Sequence, residues 1–173
     1  MKTSPTPLFI IFCMLISTCV YSQNNISVTG RYGINTIGFT AAVPVSQLGS
    51  IEGMYTISHD KIRQLLTAFY AERYIIGDNT NLEWFAGVGL HAGYRRVERI
   101  VTETGDIKFR LAKPDQQTET EKQFIGGADA IIGITYKIPN IPIMIGLDMK
   151  PNVDFINAGS MMVDGGVSVG FSF

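Results

Sequence analysis

The residues of this 173-residue chain best equipped for chemistry are its two histidines. Ser58, His59 and Asp60 stand in a row and carry the three groups of a hydrolytic triad. Adjacency defeats that use, because neighbouring side chains on an extended segment point to opposite faces and cannot converge on one atom. His91 lies among Gly87, Gly89 and Gly93 and reads as a structural hydrogen-bonding residue. The same glycines fall inside an alternating segment and lack the strand–turn–helix setting that a dinucleotide site needs. Both cysteines, Cys13 and Cys19, belong to the N-terminal apolar segment, so the chain beyond it has no thiol for a disulfide, a metal or a nucleophile. No catalytic residue, cofactor site or metal site is expected.

Charge is the remaining candidate. Charged residues are only 17% of the chain against 46% hydrophobic, and the net charge of -1 argues against a nucleic-acid partner. Arg31, Glu52, Glu83, Arg95, Asp129, Lys137, Asp148 and Lys150 are assigned to the interior of the fold, four of each sign. Buried charges persist only when paired and hydrogen-bonded, so these eight are expected to form a mutually neutralising network and not a charged pore.

The elements that must position them are strands. Period-2 alternation recurs from residue 26 onward, interrupted by Gly, Pro, Asn and Asp, and predicts strands at 26–34, 36–46, 49–58, 62–75, 82–96, 124–138, 142–156 and 163–173. Each is about as long as a tilted strand that crosses a bilayer. In the last, Val167, Val169, Phe171 and Phe173 share one face and Gly166, Ser168, Gly170 and Ser172 the other. In the fifth, the face that carries Glu83, His91 and Arg95 also carries Gly87, Gly89 and Gly93. A solvated face has no reason to be small, whereas the narrow interior of an eight-stranded barrel must be filled by small residues around a few long polar ones. The expectation is an all-β fold, an eight-stranded antiparallel up-and-down transmembrane β-barrel with lipid outside and a plugged polar lumen. Arg63, Glu72 and Arg73 stay unassigned, because the fourth strand reads as changing phase near Ala71.

Residues 1–22 read as a secretory signal peptide: Lys2, an apolar run from Leu8 to Val20, then Val20 and Ser22 at −3 and −1 of a cut before Gln23. An alternative is a lipid-modified N-terminus at Cys19 after Ile16-Ser17-Thr18. Residues 23–173 form the barrel domain. The connections Ser46-Gln47-Leu48, Gly77 to Asn81 and Pro139-Asn140 are short and are expected in the periplasm, whereas residues 97–123, with eleven charged residues, are expected as a long extracellular loop. Ile100 to Leu111 looks like a hairpin within it. Tyr70, Tyr74, Trp84, Tyr136, Phe171 and Phe173 fall near the periplasmic strand ends and Tyr94 near an outer end, as interfacial girdles do.

Leu82-Glu83-Trp84-Phe85-Ala86-Gly87-Val88-Gly89-Leu90-His91-Ala92-Gly93, Ser50-Ile51-Glu52-Gly53, the run Ile132 to Pro142 and Asp148-Met149-Lys150-Pro151 resemble the small outer-membrane β-barrel domain proteins. The resemblance covers roughly residues 29–173. It implies a Gram-negative outer-membrane barrel comparable to OmpX or the OmpA membrane domain. It also implies insertion by the barrel-assembly machinery, with Val169, Phe171 and Phe173 as the C-terminal assembly signal. The charged 97–123 insertion departs from the usual pattern and is a candidate contact surface for an extracellular ligand, a protein or the lipopolysaccharide layer. The expected function is a non-enzymatic outer-membrane barrel, structural or loop-presenting, with outer-membrane lipid as its surroundings. The alternatives are a secreted soluble lipocalin-like barrel and a lipid-modifying enzyme acting through His91.

Overall fold

In the computed structural model, residues 26–77, 79–101, 107–111, 120–157 and 159–173 are described. The expected signal segment 1–22, Cys13, Cys19 and the cut before Gln23 lie outside them. Nine strands follow in order: β1 (Ser27–Gly33), β2 (Thr36–Pro44), β3 (Gly49–Ser58), β4 (Arg63–Ile76), β5 (Asn79–Val101), β6 (Ile107–Leu111), β7 (Thr120–Lys137), β8 (Ile143–Ile156) and β9 (Met161–Ser172). All pairings are antiparallel. Eight of the strands run β4-β3-β2-β1-β9-β8-β7-β5, and a further β4–β5 pairing closes them into a barrel. Closure leaves no barrel strand with an unpaired edge. The seam joins β1 to β9, from Ser27 opposite Ser172 to Gly33 opposite Gly166, and the Phe173 N–H donates to the Ile26 carbonyl at 2.8 Å beyond it.

β6 stands outside the barrel wall. It pairs with the far end of β5, Val97 opposite Leu111 through Val101 opposite Ile107, and so forms the hairpin expected there. Its turn, residues 102–106, and residues 112–119 are not among those described. β5 runs to Val101 and β7 begins at Thr120, so both outreach the expected strands 82–96 and 124–138. The other connections are tight. Val45 and Ser46 both donate to the Gly49 carbonyl, and Gly77, Lys61, Asn140 and Asn157 take positive φ at turns, a conformation that Gly and Asn adopt most cheaply.

Alternation sets the two faces. Leu66, Val88, Leu90, Leu147 and Val169 face outward and are more than half exposed. Among the described residues, buried polar and charged side chains outnumber buried apolar ones, the inverse of a water-soluble domain. The expected phase change near Ala71 does not occur. Arg63, Leu65, Thr67, Phe69, Ala71 and Arg73 all point inward, Glu72 points outward with Tyr70 and Tyr74, and the register shifts only between Ile75 and Ile76. The alternation was obscured because both faces carry large apolar groups, Leu65 and Phe69 within and Leu66 and Tyr70 without.

Candidate functional site

The interior charges gather into three groups. The first surrounds Arg31 on β1, which is 3% exposed. Its Nε donates to both Asp148 oxygens at 2.8 and 3.1 Å, and Nη2 donates to Asp148 Oδ1 at 2.6 Å. Nη1 donates to Asp164 Oδ2 at 2.7 Å and to the Thr36 hydroxyl at 3.1 Å. Asp164 also accepts the Asn35 N–H at 2.8 Å, which ties the β1–β2 turn to β9. The fork fits because β9 has no side chain at Gly166: a Cβ there would lie 2.7 Å from the Arg31 Cζ.

The second group centres on His91 of β5. Nδ1 bonds Asp129 on β7 at 2.5 Å and Nε2 bonds Asp154 on β8 at 2.9 Å, so one imidazole bridges two carboxylates. Arg63 pairs with Asp154, whose other oxygen accepts from the Ser160 hydroxyl at 2.8 Å. Lys150 Nζ stands 3.6 Å from Asp129 Oδ1, an ion pair too long for a hydrogen bond. Gly127 leaves the space for the ring, since a Cβ there would meet His91 Cε1 at 2.6 Å.

The third group occupies the end with the short turns. Arg73 pairs with Glu52 and lies 4.8 Å over the Phe85 ring, and Lys137 donates to Glu83 at 2.6 Å. A cavity of about 290 Å³ opens here, lined by Ser46, Ser50, Arg73, Glu83 and Lys137 among others. Between this end and the His91 group lies an apolar layer of Met54, Phe69, Phe85 and Ile131. A small cavity of about 40 Å³ reaches from that layer to Arg31 and Asp148.

Seven of the eight expected interior charges therefore meet an opposite charge. Arg95 is the exception. It sits half-buried at the rim and donates to Gln123 at 2.8 and 2.9 Å and to the Asn157 carbonyl at 2.6 Å. Sequence reasoning missed Asp154, Asp164, Arg63 and Arg73. The first two were accessible by continuing the same alternation, from Lys150 to Asn152 and Asp154 on β8, and from Gly166 back to Asp164 on β9. The Arg63 and Arg73 assignments needed the true phase of β4. With them, six cations and six carboxylates from these groups and the rim face the interior.

Among the described residues, neither histidine ring is hydrogen-bonded to a hydroxyl. His91 is 4% exposed and both its nitrogens meet carboxylates. His59 Nε2 bonds the Gly33 carbonyl at 2.9 Å and its ring lies against Tyr32, while Ser58 turns to Asp60 and accepts the Arg63 N–H. Among the described residues no cluster could hold a metal ion. On the outer face at the short-turn end, Tyr74 stacks on Trp84 with centroids 4.9 Å apart, and Phe171 on Phe173 at 6.5 Å.

No protein-family model and no curated protein matches the sequence. Among solved structures, the chain is similar to Neisserial surface protein A (NspA), with TM-score 0.46 and 11% identity over 86% of this chain and 94% of that one. It is similar to the N-terminal β-barrel domain of Pseudomonas aeruginosa OprF, with TM-score 0.62 and 13% identity over 87% of this chain and 96% of that one. At that identity the likeness is one of fold, and it places this chain on the same eight-stranded antiparallel barrel as the OprF domain.

Proposed function

We propose that this chain is an integral outer-membrane barrel of a Gram-negative envelope, anchoring and presenting the charged 97–123 segment outside while conducting nothing through its interior. One observation carries the reading: the wall is apolar outward and charged inward. A soluble ligand-binding barrel needs the reverse, an apolar cavity and a polar shell. Water would make the exposed row of Val88, Leu90, Leu147 and Val169 an aggregation surface, whereas acyl chains cover it favourably. Strands of 14 residues in β4 and β8 exceed the roughly 9–11 that a tilted strand needs to cross the hydrocarbon. The 23 residues of β5 carry it well beyond, so the β5–β6 hairpin stands clear of the membrane.

The short-turn end, with its Trp84, Tyr74, Phe171 and Phe173 rings, faces the periplasm in this reading, and residues 1–22 direct export. Val169 and Phe171 lie on the lipid-facing side of β9 and the exposed Phe173 follows it directly, where assembly machinery can read them. A non-enzymatic role is supported by histidines that are held by carboxylates and a carbonyl and, among the described residues, bond no hydroxyl. The test is fractionation with gel mobility. Folded protein should resist extraction of membranes with urea and migrate differently before and after boiling. Protein that washes off and shows one mobility would defeat the reading.

A further inference from the structure

We propose that the outer rim of β4, β5 and β7 is a docking site for a phosphorylated glycolipid of the outer leaflet, a lipid A-type diphosphoryl amphiphile. This rests on the membrane reading above. Arg96 and Lys122 stand directly opposite each other across β5 and β7, both exposed on the outward face. Like charges in such a cross-strand pair are destabilising unless an anion lies between them. Lys61, on the β3–β4 turn, lines the same notch of about 30 Å³ with Arg96 and Lys122. Among the residues whose side chains are described, no carboxylate pairs with any of the three. Glu98, next outward along β5, is in register with Arg110 on β6.

What lies beneath the cations selects a lipid over a free anion. One step down the same face, Tyr94 and Phe124 are opposite each other, edge to face at 5.9 Å. Below Phe124, Gly126 is buried with the Ile156 side chain of β8 packed over it, and the outward residues of β7 beyond it are the small Ala128 and Ala130. Leu90 and Val88 on β5 and Val153 on β8 stand exposed to either side. Ala128 and Ala130 between taller neighbours form a short furrow for an acyl chain, below the cationic clasp, the aromatic shelf and Ile156. The order of cation, aromatic ring and apolar furrow matches phosphate, sugar–acyl boundary and chain in the amphiphile. Three neighbouring cations suit more than one phosphate.

The test uses the full folded chain in detergent, titrated by native mass spectrometry with diphosphoryl lipid A, with lipid A stripped of both phosphates, and with inorganic phosphate as competitor. Diphosphoryl lipid A should bind at least tenfold more tightly than the stripped form. Arg96→Gln with Lys122→Gln should lose at least tenfold, Arg96→Lys should retain most binding, and Ala128→Phe should weaken it several-fold by filling the furrow. Inorganic phosphate at equal concentration should not displace the lipid. Equal binding of the stripped lipid, or an unaffected double variant, overturns the proposal, and full displacement by inorganic phosphate reassigns the clasp to a free anion. Heat-modifiable mobility of each variant separates the outcomes: a folded membrane barrel that binds irrespective of Arg96 and Lys122 sinks only this proposal, whereas wild-type protein without that mobility sinks the membrane reading itself.

Discussion

Arg31 spends its planar fork on two carboxylates from different strands, Asp148 on β8 and Asp164 on β9, and thereby ties both to β1 across the seam. Removing the cation leaves two buried carboxylates without their main partner. Arg31→Met should therefore cost about 3–5 kcal/mol, read as a lower urea midpoint for the barrel in lipid. Arg31→Lys should recover little, since an ammonium cannot serve both carboxylates in that planar geometry. Exchanging the whole set, with Asp148→Leu and Asp164→Leu added to Arg31→Met, should restore much of the loss, because a neutral packed group avoids the desolvation of three charges. A midpoint for Arg31→Met equal to wild type would show that the network is not holding the seam. Gly166 gives an independent reading of the same site. Gly166→Ala pushes a methyl to 2.7 Å from the Arg31 Cζ and should destabilise the wild type. In the Arg31→Met background the longer guanidinium is gone, so the penalty should shrink, and a double-mutant cycle measures that coupling. Additive penalties would contradict the contact.

At the scale of the element, the outer wall is decided by what one charge on it costs. Val88 lies mid-way along the barrel portion of β5 and is 67% exposed. Val88→Arg should destabilise the barrel by about 2–4 kcal/mol if acyl chains cover that position. Gln64→Arg, at the outer end of β4, should cost no more than about 1 kcal/mol. If water covered both, the two would be alike and within roughly 0.5 kcal/mol of wild type. Urea titration of both variants in vesicles makes the comparison. The strands themselves were legible because alternation was clean wherever one face was small: β5, with its inward Gly87, Gly89 and Gly93, and β9, with Gly166 and Gly170, read correctly from spacing alone. β4 did not, because its inward Leu65 and Phe69 are as apolar as its outward Leu66 and Tyr70, and only the pairing to β3 and β5 fixes its phase. The His91 bridge was illegible for a different reason. Asp129 and Asp154 are 38 and 63 residues away, and nothing in local spacing brings three strands to one imidazole.

Whether the whole molecule conducts depends on how its interior layers are stacked. Along β4 the apolar Phe69 separates Arg73 from Arg63; along β5 Phe85 separates Glu83 from His91; along β7 Ile131 separates Lys137 from Asp129. Met54 completes the layer on β3, beside Glu52. The opposite half of the wall, β1, β8 and β9, is spanned at its own level by Arg31 with Asp148 and Asp164. An ion entering the 290 Å³ mouth thus meets an apolar layer on one side and a satisfied ion-pair bridge on the other, with about 40 Å³ between them. Shedding its hydration to pass the apolar side is unfavourable, and breaking the bridge exposes buried charge. Wild-type protein in planar bilayers should therefore show no steady conductance. Phe69→Ala with Phe85→Ala removes two of the four apolar side chains and the ring beneath Arg73, and should open a water-filled path with measurable unitary steps. Heat-modifiable mobility of the double variant establishes that the conducting species is the folded barrel. Steady conductance in the wild type, or none in a folded double variant, would each contradict this account of the closed lumen.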